Sequence, residues 1–170
     1  MSSAMFAAAI PPVLMALDRA DHLLDRASGT VGLAGLLRAR LHPGMMPAAG
    51  QLRTVADFAL RATLPLCGRP LPDAAFPDEP RGLRARIAFS RATVSAFGPA
   101  DFTDAHARRI VHLAGEARLD QSADEYLHLF ALPNLWFHLS MAYAIFRAEG
   151  VPLGKADFDG LHAYGTGRLH

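Results

Sequence analysis

Two polar residues interrupt the most apolar run of this chain. In "ALPNLWFHLSMAYAIFRAEG" (131–150), Asn134 and His138 stand four apart. On a helix that spacing puts both on one stripe, pointing the same way. Their neighbours Leu135, Trp136, Phe137, Leu139 and Met141 are apolar, and Ala142 continues the stripe and leaves space one turn on. A neutral imidazole can take up a proton or ligate a metal, and a carboxamide both donates and accepts hydrogen bonds. Two accounts fit. The plainer is a core histidine satisfied by Asn134 or by a side chain of another helix, because a buried polar group left unpaired costs about 1–3 kcal/mol. The other is a pair facing a pocket, with His138 as ligand or general base.

The remaining chemistry-bearing residues give weaker signals. Among eight histidines, His106 and His112 fall in or beside a short alternating segment, and His162 and His170 fall in the C-terminal tail. His22 sits between Asp18 and Asp25 at i−4 and i+3, which suits an exposed ion-pair face. His42 opens a loop, where a capping or solvent role is simplest, and His128 precedes the apolar run and could face the interior. Cys67, the one cysteine, sits at a helix C-terminus, where the dipole raises a thiol pKa. No phosphate-cradling glycine loop, nucleophile elbow or H-E-x-x-H is present.

The elements that must carry these residues are helices. Residues 4–27 repeat apolar positions at helical spacing, with Pro11 and Pro12 inside, so the helix either kinks or begins near Pro11. A short helical stretch at 33–41 and a breaker-rich loop at 42–47 follow. A second long helix is expected from Pro47 to Cys67, then a proline-rich loop at 67–80. Asp78 is the expected N-cap of a third helix running to about Phe97. "RRIVHLA" and "ARLDQS" around "AGE" suggest a small hairpin. Ser122 or Asp124 then begins the helical segment leading into the fourth long helix. That helix ends at Gly150, with "VPLGKADFDG" read as surface coil. The expected fold is all-α: an up-and-down four-helix bundle over residues 1–160, with a hairpin before the last helix and a tail at 161–170. The last helix is the most apolar, so it should be the most buried.

Bulk properties narrow the function. A chain of 170 residues can bury one sizeable core. Net charge of +1 argues against general attraction to nucleic acid or acidic membranes. A single cysteine excludes an intrachain disulfide and fits a reducing compartment. The apolar stretch at 4–17 is too short to span a bilayer, and the first positive side chain is Arg19, so a cytoplasmic location is expected.

"DEYLHLFALPNLWFHLSMAYAIFRAEGVPLGKADF" (124–158) resembles the closing signature of an uncharacterised bacterial domain family: Y-L-x-H-F-A-L-P-N-x-x-F-H, then A-Y-A-I-x-R, then G-V-P-L-G-K-x-D-F. The resemblance extends upstream through "SAMFAAAIPPVLMALDRADHLLDRA" and "LLRARLHPGMMPAAGQLRTVADFA", and is loose over 68–120. That family is similar to the DinB/YfiT-like four-helix superfamily, many of whose members bind a divalent metal through one histidine of the second long helix and two of the fourth. The resemblance places those positions near Gln51, at Asn134 and at His138. Only one of the three is an imidazole here, and carboxamide oxygens are weak ligands for zinc or nickel.

Two functions follow. One is a bundle with an altered metal or ligand pocket, Gln51, Asn134 and His138, between the second and fourth long helices, serving to bind a small ligand or to hold the core in register. The other, implied by the superfamily, is a metal-dependent small-molecule transferase or hydrolase using His138, with His42 or His128 as additional donors and zinc or nickel as cofactor. A homodimer through helix faces is expected, from the superfamily and from the abundance of apolar residues.

Overall fold

The computed structural model describes residues 4–30 and 32–163. Four long helices form the bundle: α1 (Ala4–Ser28), α3 (Ala48–Arg61), α4 (Pro80–Ser95) and α6 (Leu132–Ala148). Short α2 (Leu33–Arg38) joins the first two, and α7 (Lys155–Asp159) follows α6. Between α4 and α6 lies an antiparallel hairpin, β1 (Arg109–Ala114) and β2 (Ala117–Ser122), paired from Arg109↔Ser122 to Ala114↔Ala117. Around the bundle, α1 and α3 each pack on both α4 and α6. The connections from α1 to α3 and from α4 to α6 therefore cross the bundle's diagonal, the first through α2 and the second through the hairpin.

α1 begins at Ala4 and carries Pro11 and Pro12 in its interior, so the helix does not begin at the prolines. Its buried stripe, from Met5 and Ala9 through Leu17 and Leu24, faces the core. Its acidic residues face α4. Arg84 pairs with Asp25 at 2.5 Å and Asp21 at 3.4 Å, and Arg91 pairs with Asp18 at 3.0 Å. These pairs are partly exposed, each worth about 0–1 kcal/mol, so they set orientation more than stability. His22 does not join them; it bonds Asp157 of α7 at 2.7 Å.

α4 starts one residue later than the sequence suggests. Glu79 occupies its N-cap without a side-chain bond, while Asp78 instead pairs with Arg53 of α3. Gly82 in its first turn lies against the Pro77 carbonyl, where an added Cβ would sit 2.1 Å from the oxygen.

The expectation that the last helix is the most buried is overturned. α3 buries ten of its fourteen residues and α6 only six of its seventeen. α6 is apolar on more sides than the bundle covers, leaving Phe137 half exposed. The stretch expected as coil after Gly150 also orders: Val151 and Leu153 are buried, and α7 packs on α1. The Gly154 amide donates to Asp157 Oδ2 at 2.7 Å, closing the first turn of α7.

Candidate functional site

α6 is reached through two local devices. Ser122 caps the short α5 (Ala123–Glu125): its hydroxyl accepts from the Glu125 amide at 3.3 Å, and Glu125 Oε2 accepts from the Ser122 amide at 2.8 Å. That reciprocal bonding holds the Glu125 carboxyl below its ordinary pKa. A wide π-helical turn, Tyr126–Ala131, then leads into α6. Pro133 lacks an N–H and cannot continue a regular ladder back to Leu129, so a loosened turn just before it is the low-cost solution. One residue on, Asn134 folds back on this turn, donating from Nδ2 to the Phe130 carbonyl at 2.7 Å.

His138 is buried, with 8% of its surface exposed. Its Nδ1 bonds Gln51 Oε1 at 2.7 Å, and Gln51 Nε2 donates to the Met46 carbonyl at 3.3 Å. The Met46 bond fixes which end of the amide is oxygen. The imidazole therefore carries its proton on Nδ1 and presents a bare Nε2 lone pair. Burial holds the His138 pKa below its ordinary value, which keeps the ring neutral. Phe58 stacks on one face at 5.9 Å, and Phe137 meets it edge-on at 5.2 Å.

Gln51 and His138 are thus brought together across α3 and α6 by a direct bond, as the resemblance implies. Asn134 shares their stripe of α6 but bonds its own backbone, so neither residue satisfies the other. Its Oδ1 makes no hydrogen bond among the described residues. The groups left open are both acceptors, His138 Nε2 and Asn134 Oδ1, while Gln51 acts as the orienting partner of the imidazole.

The other candidates disperse. His42 is exposed, and its Nδ1 accepts from the Gly44 amide at 3.1 Å, a turn-closing role. His128 is exposed on the π-helical turn and does not face the interior. His106 bonds Asp124 at 3.1 Å, His162 bonds Asp159, and His170 lies outside the described residues. Cys67 is held up at a pKa of about 11, first by burial and then by Asp101. The direction agrees with the helix-end expectation, and the cause is desolvation.

One residue of this region was missed. His112 turns inward from β1, its Nε2 2.7 Å from Gln121 Oε1 and its ring 4.2 Å from Phe130 and 4.9 Å from Tyr126. Its Nδ1 is buried and unpaired among the described residues. The alternation of "RRIVHLA" carries the signal: Ile110 and His112 share one face, with Val111 and Leu113 on the other.

The fold and this altered histidine face define a DinB-like helical bundle. The crystal structure of a DinB family member protein from Shewanella denitrificans superposes with a TM-score of 0.82 at 26% identity, over 95% of this chain and 94% of that one. Residues 5–159 match the model of the domain of unknown function DUF1993, and the chain belongs to that family. No curated protein matches it significantly.

The donor set does not fit a transition metal. Gln51 Oε1 is committed to His138, leaving one imidazole nitrogen and one carboxamide oxygen, and zinc or nickel sites draw on three or four nitrogen, sulfur or carboxylate donors. Among the described residues no three histidine, cysteine, aspartate or glutamate side chains converge.

Proposed function

We propose that this chain is a non-catalytic DinB-like bundle that binds a small polar ligand through Asn134 and His138, with Gln51 holding the imidazole. The observation that carries this reading is the Gln51–His138 bond of 2.7 Å, which leaves a neutral ring with its Nε2 lone pair free. Two acceptors one helical turn apart select a ligand that donates hydrogen bonds, an amine or a polyol, and disfavour a carboxylate. Chemical-shift mapping with small amines, alcohols and carboxylates tests it: amines or alcohols should perturb His138, and carboxylates should not. Perturbation by carboxylates alone would overturn it.

The runner-up is a metal-dependent transferase or hydrolase. One observation favours it: an oriented neutral imidazole is what a metal ligand or general base must be. Elemental analysis of untagged protein separates the two. The first reading expects little tightly bound zinc or nickel; stoichiometric metal that is lost in His138→Gln would establish the second.

The same reading makes the protein a cytoplasmic homodimer that engages neither nucleic acid nor membrane. The half-exposed Phe137 and the exposed Leu129 support association through helix faces, and the lone cysteine suits a reducing compartment. The run Ala123–Ala148 is long and apolar enough to cross a bilayer, but it bears His138 bonded to Gln51 of a neighbouring helix, a contact suited to a bundle core. A monomer mass by light scattering at micromolar concentration would refute the dimer.

A further inference from the structure

α6 has a second chemistry-bearing face. Trp136, Ser140, Tyr143 and Arg147 recur along it at helical spacing, about half a turn around from Asn134 and His138. Over this face lies α7, and between the two is an open cleft of about 370 Å³ lined by Ser140, Tyr143, Lys155 and Phe158. That volume is within the range of small-molecule sites, roughly 300–1,000 Å³.

We propose that this cleft is a binding site for a small carboxylate with a flat apolar body, its carboxylate held by Lys155 and its body by Phe158 and Tyr143. The walls favour a flat guest. The Tyr143 and Phe158 rings meet edge-on at 5.7 Å, forming a corner, and Trp136 backs Phe158 at 6.4 Å. The polar groups favour an anion. Lys155 is exposed and forms no ion pair among the described residues. It is also the chain's only lysine; the other sixteen basic residues are arginine. The Tyr143 hydroxyl accepts from Arg147 at 3.2 Å, leaving its own proton to donate. The Ser140 hydroxyl makes no hydrogen bond among the described residues. A cation and two available hydroxyl protons around an apolar corner match an aromatic carboxylate. The acids of α7 are engaged elsewhere: Asp157 by His22 and the Gly154 amide, and Asp159, which shares the face of Lys155, by the Leu161 amide and the His162 ring.

This site owes nothing to the Asn134–His138 reading and can fail without it. Its test uses Trp136, the only tryptophan, as the reporter. The full-length protein is titrated with phenylacetate, and with 2-phenylethanol as the uncharged counterpart, at low and high salt. The expected result is a saturable change in tryptophan emission with phenylacetate. Affinity should fall about tenfold for the alcohol and for Lys155→Gln, as loss of a charge-assisted hydrogen bond implies. Arg118→Gln, which removes a positive charge on the hairpin, should bind as the parent does. A folded Lys155→Gln protein that binds phenylacetate as tightly as the parent would overturn the site. So would equal binding of acid and alcohol, or no saturation by about 10 mM.

Discussion

The two faces of α6 are built from similar material and present opposite chemistry. Toward α3 the helix turns a buried imidazole whose donor is consumed by Gln51, so what remains is lone pairs. Toward α7 it turns aromatic rings and hydroxyls beside an exposed ammonium, so what remains is protons and positive charge. The difference comes from the partners. α3 supplies an amide locked by a backbone carbonyl; α7 supplies a lysine that forms no ion pair among the described residues. Because α6 is apolar on most sides, its sequence alone does not say which face is core, and the neighbouring elements decide.

The largest effect should come from the core both faces share. Phe146 is fully buried on α6, and Phe146→Ala should cost about 3–5 kcal/mol by chemical denaturation, the usual price of deleting a buried aromatic. Phe137→Ala, on a half-exposed ring, should change stability by about 1 kcal/mol or less. Equal losses would mean that Phe137 is covered in solution, as a helix-face dimer would cover it.

The α3 face is next. Gln51→Ala leaves the buried His138 Nδ1 proton without its partner, at a cost of about 1–3 kcal/mol. His138→Gln should cost less, because an amide can still donate to Gln51. The pH dependence distinguishes them further. Burial lowers the His138 pKa in the folded state, so the unfolded chain takes up the proton first. Its contribution is fully present above the unfolded value of about 6.5 and is lost as pH falls from there through the lower folded value. Denaturation midpoints should therefore fall below pH 6.5 in the parent, and that part of the slope should vanish in His138→Gln. A slope unchanged by the substitution would assign it to other groups.

How much of this was legible in the sequence depended on whether a signal was local. The hairpin was readable from alternation and a glycine turn, while the start of the next helix was left between Ser122 and Asp124, and the Ser122–Glu125 box decides it. Asn134 and His138 were visible as polar residues on an apolar stripe, but their partners were not: only the resemblance pointed to Gln51, 87 residues upstream of His138. The i, i+4 spacing left Asn134 and a side chain of another helix both open as the partner of His138; the other helix supplies it, and Asn134 bonds the Phe130 carbonyl instead. α7 was hidden because five residues carry too little periodicity; tertiary docking of Val151 and Leu153, more than propensity, holds that segment. His22 was paired with the nearest acids in sequence, whereas Asp18, Asp21 and Asp25 are drawn to arginines of α4.

The α7 face should respond more gently. Burial raises the Asp157 carboxyl, but the Gly154 amide, His22 and Arg26 outweigh it and hold it below its ordinary value. Its contribution is present above the unfolded carboxylate pKa of about 4 and is lost as pH falls through the folded value. Asp157→Ala at neutral pH removes both the first-turn bond and the His22 contact, at a cost of about 0.5–2 kcal/mol. Loosened docking of α7 should also shift Trp136 emission to the red, since Phe158 would leave its ring. Unchanged emission with full loss of stability would show that α7 stays docked by Val151 and Leu153 alone.

The smallest effect is the most discriminating. Lys155 is exposed and makes no ion pair among the described residues, so Lys155→Gln should move the denaturation midpoint by no more than about 0.5 kcal/mol in free energy. It should also leave the unliganded emission of Trp136 unchanged. An exposed side chain without an ion pair among the described residues, and the one lysine in a chain that otherwise uses arginine, is free to meet an anion from solution. An ammonium is a compact charge with three rotatable donors and suits a carboxylate approaching at varied angles; a guanidinium demands a fixed planar fork. Lys155→Arg should therefore keep the charge while weakening phenylacetate less than Lys155→Gln does. If Lys155→Gln instead destabilised the protein by as much as Asp157→Ala, the ammonium would be serving α7, and the contrast between the two faces of α6 would collapse to a difference in packing.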